Sequence, residues 1–225
     1  MSVHDGHRAR KKQQYREHGL DAFADHEVLE LLLYYAIARA DVNPIAHRLI
    51  ERFGSLDGVL CAPPEELAQV EGIGEHAATL LSLVLPVTRR AMMTAKKSGV
   101  PLSTTERLGD YCCELFFGAR QEAFYEICLD AKGKLLRCCK IADGSVDAVN
   151  LNVRCVVENA LRCHASAVVL SHNHPSGVAL PSPDDNVATL AVCDALHTVG
   201  ILLADHIIVA DGDFVSLREN GLLPH

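Results

Sequence analysis

The spacing of apolar side chains changes between the two halves of the chain. In the first hundred residues they recur every three or four positions, as on one face of a helix. This spacing predicts a helix that begins near Asp25, with Asp25 as its N-cap. A second predicted helix begins at Asn43 and Pro44, with Asn43 as the N-cap and Pro44 as the first helical residue.

The first half ends in a long predicted helix. A turn at residues 71–74 precedes it, and the helix should run from Glu75 to about Lys97 and be bent or broken at Pro86. The stretch Thr94–Ser103 is polar and contains glycine and proline, which is typical of a linker. We therefore predict a helical domain over residues 1–98 and a second domain over residues 103–225.

The second half has the period of strands mixed with helices. An apolar run at 165–170 predicts a central strand that is buried on both faces. The other predicted elements, in chain order, are strands Ala123–Asp130 and Lys134–Ile141, helix Leu151–His164, loop His172–Pro183, helix Asp184–Val199, strand Ile201–Ala210 and edge strand Phe214–Leu217. The predicted fold class is α/β (α+β), with an all-helical N-terminal domain and a C-terminal mixed sheet flanked by helices.

Composition and charge exclude several classes of protein. The chain is 49% hydrophobic and 22% charged, which excludes a disordered chain. No apolar run is long enough for a membrane span, and the N-terminus does not resemble a secretory signal, so the expected location is cytoplasmic. The net charge of −8 disfavours a large basic nucleic-acid groove. The nine cysteines lack zinc-finger spacing and are expected to be reduced thiols without a metal.

The densest set of reactive side chains follows the predicted central strand. His172 and His174 are two positions apart, so their rings can point to the same side of an extended segment. Asp185 comes eleven residues after His174, on the first turn of the next predicted helix. Two histidines and one carboxylate with an open fourth position are typical of catalytic zinc.

These residues carry a family resemblance. The string His172-x-His174-x(7)-Ser182-x-x-Asp185 resembles the motif of JAB/MPN (JAMM) metalloproteases, and HNHPSG resembles its bacterial RadC branch. The resemblance implies that His172, His174 and Asp185 bind Zn²⁺. It further implies that an upstream glutamate is the general base, which Glu122 matches by position, and that Ser182 donates a hydrogen bond to the oxyanion. Glu126 is the rival base; the alternative interpretation of Glu126 is a carboxylate at the edge of the sheet.

A segment of the first half resembles a helix-hairpin-helix, which binds DNA phosphate through backbone amides. This segment, residues 70–77, contains Gly72 and Gly74, but Glu71 and Glu75 flank the turn and should repel phosphate. We therefore expect weak or no DNA binding through residues 64–90. A helical scaffold or a protein-docking module is an equally good interpretation.

Three functions remain open at this point. The first is a zinc metallohydrolase that cuts a peptide or isopeptide bond, with a peptide or protein as substrate. The second, implied by the RadC resemblance, is a DNA-repair-associated nucleic-acid-binding protein whose metal domain is not proteolytic. A metal-dependent nuclease is weaker, because one three-ligand site lacks the paired carboxylates of two-metal nucleases. His206 has two interpretations, a partner of a metal ligand or a buried histidine of the core.

Overall fold

The computed structural model describes residues 3–38, 40–96, 101–144 and 152–223. They belong to two compact units, Met1–Thr88 and Arg89–His225. Residues 97–100 of the predicted linker and residue 151 of a predicted helix lie outside the described residues. Within the described part of the chain, no helix is long and apolar enough to cross a membrane.

The first unit is helical. Its elements are α1 (Val3–His18), α2 (Asp25–Ala36), α3 (Asn43–Phe53), α4 (Leu56–Cys61), α5 (Pro64–Leu67) and the first part of α6 (Glu75–Lys96). Leucines of α2, α3 and α6, among them Leu33, Leu49 and Leu81, are completely buried in one core. Pro86 was predicted to bend or break this helix; α6 continues through it, so it is not broken there.

Two predicted N-caps make other contacts. The residue before α2 is Ala24, and Asp25 Oδ2 accepts a hydrogen bond of 3.2 Å from the backbone N–H of Leu56. Asn43 does not cap α3, because its amide donates to the buried carboxylate of Glu30 at 2.5 Å. Both predictions were wrong, because each of these side chains forms a hydrogen bond with a residue distant in sequence instead of capping its helix.

Helix α1 was not predicted, because its sequence is mostly charged and polar and shows no apolar face. It is held to α2 through those charges: Lys11 forms an ion pair with Glu27, and Arg8 donates to the carbonyl of Ile37 at 2.9 Å. Arg8 also lies over the ring of Tyr34. The basic side chains of α1 therefore contribute to the packing of this unit.

The turn of the helix-hairpin-helix-like segment is supported from α3. Gly72 has φ +94°, and Arg48 Nη2 donates to the carbonyl of Glu71 at 2.9 Å. Ile73 is buried in the core, whereas Glu71 and Glu75 are exposed. The exposed side of this turn therefore carries two carboxylates, and weak or absent DNA binding stays a prediction.

The second unit contains a mixed sheet. Its elements are α7 (Thr105–Leu115), β1 (Ala123–Leu129), β2 (Leu135–Asp143), α8 (Val153–Arg162), β3 (Ala167–Asn173), α9 (Pro183–Thr198), β4 (Leu202–Ala210) and β5 (Asp213–Ser216). The strand order is β2-β1-β3-β4-β5, and β3 and β4 are parallel while the other pairs are antiparallel. The sequence failed to predict α7, but the predicted α/β (α+β) class is confirmed.

The sheet has a buried core on each face. Side chains of α8 and α9 pack on one face with Phe124, Leu170 and Leu203, and side chains of α7 pack on the other with Ile127 and Ile207. The central strand β3 therefore has no face in contact with water, as its continuous apolar run predicted. Its carboxyl end, beside that of parallel β4, is where the polar residues lie.

Candidate metal centre

His172 and His174 lie at the carboxyl end of β3. Their Nε2 atoms are 2.9 Å apart, so the two rings converge as the i, i+2 spacing predicts. His172 is completely buried and lies within β3. It stands opposite Phe124 of β1, whose ring stacks on the imidazole with centroids 4.9 Å apart and planes 7° from parallel.

His174 follows the end of β3 and is fixed by two hydrogen bonds. Its backbone N–H donates to the carbonyl of Val209 at 2.8 Å, and its Nδ1 lies 2.8 Å from the carbonyl of Val178. Because a carbonyl oxygen only accepts, Nδ1 must carry the proton of a neutral ring. The Nε2 lone pair of His174 is thereby directed towards His172.

The loop after His174 turns tightly at Gly177. This residue has φ +83°, and a Cβ there would lie 2.6 Å from Oδ2 of Asp211. A side chain at this position would therefore strain the backbone, and the exposed carboxylate of Asp211 would have to move. The turn brings Val178 back to His174.

Asp185 reaches the two imidazoles from the first turn of α9. Its Oδ1 lies 3.2 Å from Nε2 of His172, and its Oδ2 lies 3.6 Å from Nε2 of His174. Burial raises the pKa of Asp185, but contact with His172 and hydrogen bonds from Ser182 outweigh it, so the pKa lies well below its usual range. Asp185 is therefore a carboxylate at neutral pH.

Ser182 is the N-cap of α9. Its Oγ and its backbone N–H both donate to Oδ2 of Asp185, at 2.6 and 2.7 Å, and its Oγ accepts from the N–H of Asp185 at 3.1 Å. This reciprocal capping box orients the Asp185 carboxylate. The single hydroxyl proton of Ser182 is engaged there, so an oxyanion role would require it to turn from Asp185 to the substrate.

The donor set has the dimensions of a small divalent cation site. Four donors arranged tetrahedrally at zinc bond lengths of about 2.0–2.2 Å lie about 3.3–3.6 Å from one another. The contacts between His172, His174 and Asp185 range from 2.9 to 3.6 Å. The set therefore fits a metal such as zinc in both ligand chemistry and spacing.

Glu122 is the second carboxylate near the histidines. One ligand atom each from Glu122, His172 and His174 lie within 4.8 Å of one another. Glu122 immediately precedes β1 and is partly exposed. Its position is compatible with either a ligand or a base acting on a molecule at the metal.

Asn173 fixes the backbone on both sides of Glu122. Its Oδ1 accepts from the N–H of Ala123 at 2.9 Å, and its Nδ2 donates to the carbonyl of Gln121 at 3.1 Å. The sequence analysis missed this role, although Asn173 is the middle residue of the His-Asn-His string. A polar side chain between two predicted ligands was the available signal.

Glu126 has a different environment. It is completely buried opposite Leu170, two positions along β1 from Phe124, which faces His172. Burial raises its pKa, although Asn159 Nδ2 donates to its Oε2 at 3.0 Å and the Cys128 thiol to its Oε1. The interpretation of Glu126 as a carboxylate at the sheet edge was wrong: it faces the core below α8.

His206 of β4 contacts the first histidine directly. Its Nε2 lies 2.8 Å from Nδ1 of His172, and its Nδ1 lies 2.6 Å from Oγ1 of Thr189 on α9. Burial lowers the pKa of His206 well below its usual range, and the neighbouring His172 adds to this effect. Both interpretations of His206 hold, since it is a buried core residue and a partner of a predicted ligand.

Comparison with known proteins identifies a matching family model and a similar protein. The family model described as "RadC-like JAB domain" matches residues 102–222. A "UPF0758 protein" of Rhodobacter capsulatus is 37% identical over 212 residues, which cover 94% of this chain and 99% of that protein. The first of these matches contains His172, His174, Asp185 and Glu122.

Proposed function

We propose that this protein, which belongs to the RadC-like JAB domain family, is a zinc-dependent hydrolase of peptide or isopeptide bonds. The observation that carries the proposal is the convergence of His172, His174 and Asp185, with donor contacts of 2.9–3.6 Å, beside the carboxylate of Glu122. The comparisons support the fold, and the donor set supports the metal.

Three residues would hold the zinc: His172 and His174 through Nε2, and Asp185 through its carboxylate. Bound there, zinc supplies an electrophile for the carbonyl oxygen and lowers the pKa of a water molecule to about 7. Glu122 is the free carboxylate of the group, and we assign it as the general base. It is partly exposed and its backbone is clamped by Asn173, which suits a group that must meet a substrate.

The residues of the chain account for the proton transfers. Glu122 accepts a proton from the water whose oxygen forms the new C–O bond. It then gives that proton to the amide nitrogen as the C–N bond breaks, so that an amine leaves. Ser182 would donate its hydroxyl hydrogen to the developing oxyanion after releasing Asp185.

The test compares zinc-loaded wild type with Glu122→Gln on two substrate sets. One set is a mixture of linear peptides, and the other is peptides that carry a branch on the ε-amine of lysine. Mass spectrometry detects new amino termini in the first set and free lysine ε-amines in the second. We expect cleavage in one set by wild type and none by Glu122→Gln, because an amide cannot accept the proton of water.

Glu126→Gln is the matched control. Glu126 lies on the same strand but faces the core, so its variant should cleave like wild type. Cleavage that survives Glu122→Gln would remove Glu122 from the mechanism. If zinc-loaded wild type cleaves neither set, the proposed activity on peptide and isopeptide bonds is wrong.

A further inference from the structure

We propose that Thr189 and His206 form a hydrogen-bond relay that fixes the tautomer of His172 and directs its Nε2 lone pair to the metal position. Neither residue is a proposed ligand, and both act by positioning His172. The inference rests on the metal site of the proposed function, but not on the reaction assigned to it.

The direction of the relay is set by a hydroxyl with one hydrogen. Thr189 Oγ1 lies 2.6 Å from the main-chain carbonyl of Asp185 and 2.6 Å from Nδ1 of His206. The carbonyl can only accept, so the hydroxyl of Thr189 must donate to it. The same oxygen is then the acceptor for His206, whose Nδ1 must carry a hydrogen.

His206 in turn determines which ring nitrogen of His172 carries a hydrogen. Its side chain is completely buried, and its ring nitrogens contact Thr189 and His172 rather than a carboxylate. The neighbouring Asp205 faces the opposite side of β4, where its carboxylate accepts from Ser216 Oγ at 2.6 Å. A neutral His206 protonated on Nδ1 offers a lone pair on Nε2, so the Nδ1 of His172, 2.8 Å away, must donate.

The last step concerns the other nitrogen of His172. With a hydrogen held on Nδ1, Nε2 is the nitrogen of His172 left to bind a cation, next to Nε2 of His174 and Oδ1 of Asp185. The relay begins at the main chain of Asp185 and ends at the ring of His172. It therefore links two proposed ligands. A shift of α9 would change the hydrogen bonds of Thr189, and with them the tautomer of His172.

The first measurement needs no substrate and no metal. Long-range ¹H–¹⁵N spectra of the metal-free protein at about pH 8, above the usual imidazole pKa of about 6.5, report which nitrogen carries hydrogen. We expect His206 and His172 to be protonated on Nδ1. A hydrogen on Nε2 of His206 would overturn the relay, as would a doubly protonated His206.

The second measurement is the zinc affinity of variants at Thr189. Thr189→Val keeps the shape of the side chain but removes the hydroxyl, and we expect it to weaken zinc binding about 10–100-fold, as loss of a partner of a metal ligand usually does. Thr189→Ser restores the hydroxyl and should bind zinc like wild type. In Thr189→Val the Nδ1 signals of His206 and His172 should also change.

Thr198→Val is the matched control, because Thr198 of the same helix makes the same bond to the carbonyl four residues earlier, 2.9 Å from Asp194 O. It should leave zinc affinity unchanged. Wild-type affinity in Thr189→Val would overturn the proposal, and so would an equal loss in Thr189→Ser. If wild type itself binds no zinc, the metal site of the proposed function is wrong, while the spectra of the metal-free protein still decide the relay.

Discussion

The Nε2 atoms of His172 and His174 lie 2.9 Å apart, and the Nδ1 of His174 is occupied by the carbonyl of Val178. Two imidazole nitrogens and a carboxylate oxygen at such distances fit the donor set of one bound cation. Purified protein should therefore contain about one zinc per chain, and His174→Ala should lose it. Elemental analysis after dialysis measures the zinc, and circular dichroism checks the fold. His197→Ala, on the exposed end of α9, should keep its zinc; unchanged zinc in His174→Ala would refute the ligand assignment.

Asp185 and Glu122 should differ in their effect on metal binding. Asp185 is 3.2 Å from the first histidine, and Glu122 is assigned to the substrate. We expect Asp185→Asn to weaken zinc binding strongly and Glu122→Gln to keep it, as measured by competition with a chelator. Asp184→Asn changes the adjacent, exposed carboxylate and is the control. The opposite order would make Glu122 the ligand and Asp185 the candidate base.

Ser182→Ala should affect both stability and metal binding. Loss of an N-cap costs about 0.5–2 kcal/mol of the free energy of unfolding, measured in urea. Asn152→Ala removes the N-cap of α8, where the side chain accepts from the N–H of Cys155 at 3.0 Å, and should cost a similar amount. Only Ser182→Ala should also weaken zinc binding, because only Ser182 orients Asp185. Equal zinc affinities in the two variants would show that the capping box does not serve the site.

Asn173→Ala should lower kcat while zinc stays bound. The variant leaves the N–H of Ala123 without its acceptor and frees the backbone on both sides of Glu122. A base displaced by about 1 Å can cost about 10²-fold in rate. Asn220→Ala removes a comparable bond, 2.8 Å to the carbonyl of Ser216, and should keep wild-type kcat. A wild-type kcat in Asn173→Ala would mean that the clamp does not position Glu122.

The buried carboxyl of Glu126 should make stability depend on pH. Its pKa is raised in the folded protein by burial, so below the unfolded value of 4.5 it is neutral in both states. As the pH rises above that value, the unfolded chain loses the proton first, and the free energy of unfolding falls. Wild type should therefore lose stability relative to Glu126→Gln as the pH rises above 4.5, in urea titrations of the metal-free protein.

Glu158→Gln provides a control of opposite sign. Its carboxyl is exposed on α8, and the hydrogen bond from Arg154 lowers its pKa. Wild type should gain stability relative to this variant as the pH rises, and the gain should be small because the pair is exposed. If the wild type and Glu126→Gln curves run parallel, Glu126 has the same pKa in both states.

The sequence by itself was enough to predict the fold class and the convergence of the two histidines. The period of apolar residues changes from that of helices to that of strands near residue 100, and a continuous apolar run marks the central strand β3. The two histidines converge because side chains two positions apart on a strand share a side, which is a property of the local backbone. Helix α1 was not predicted because charged side chains make most of its contacts with α2. These side chains do not recur along the sequence with the spacing of a helix face.

Tertiary structure alone decided which distant groups meet that string. Glu122 and Glu126 are four positions apart in sequence, but the register that sets Phe124 opposite His172 leaves Glu126 in the core. His206 reaches His172 because β3 and β4 pair in parallel across 34 residues of sequence. Strand register and helix docking depend on packing of the whole sheet, which no local pattern encodes.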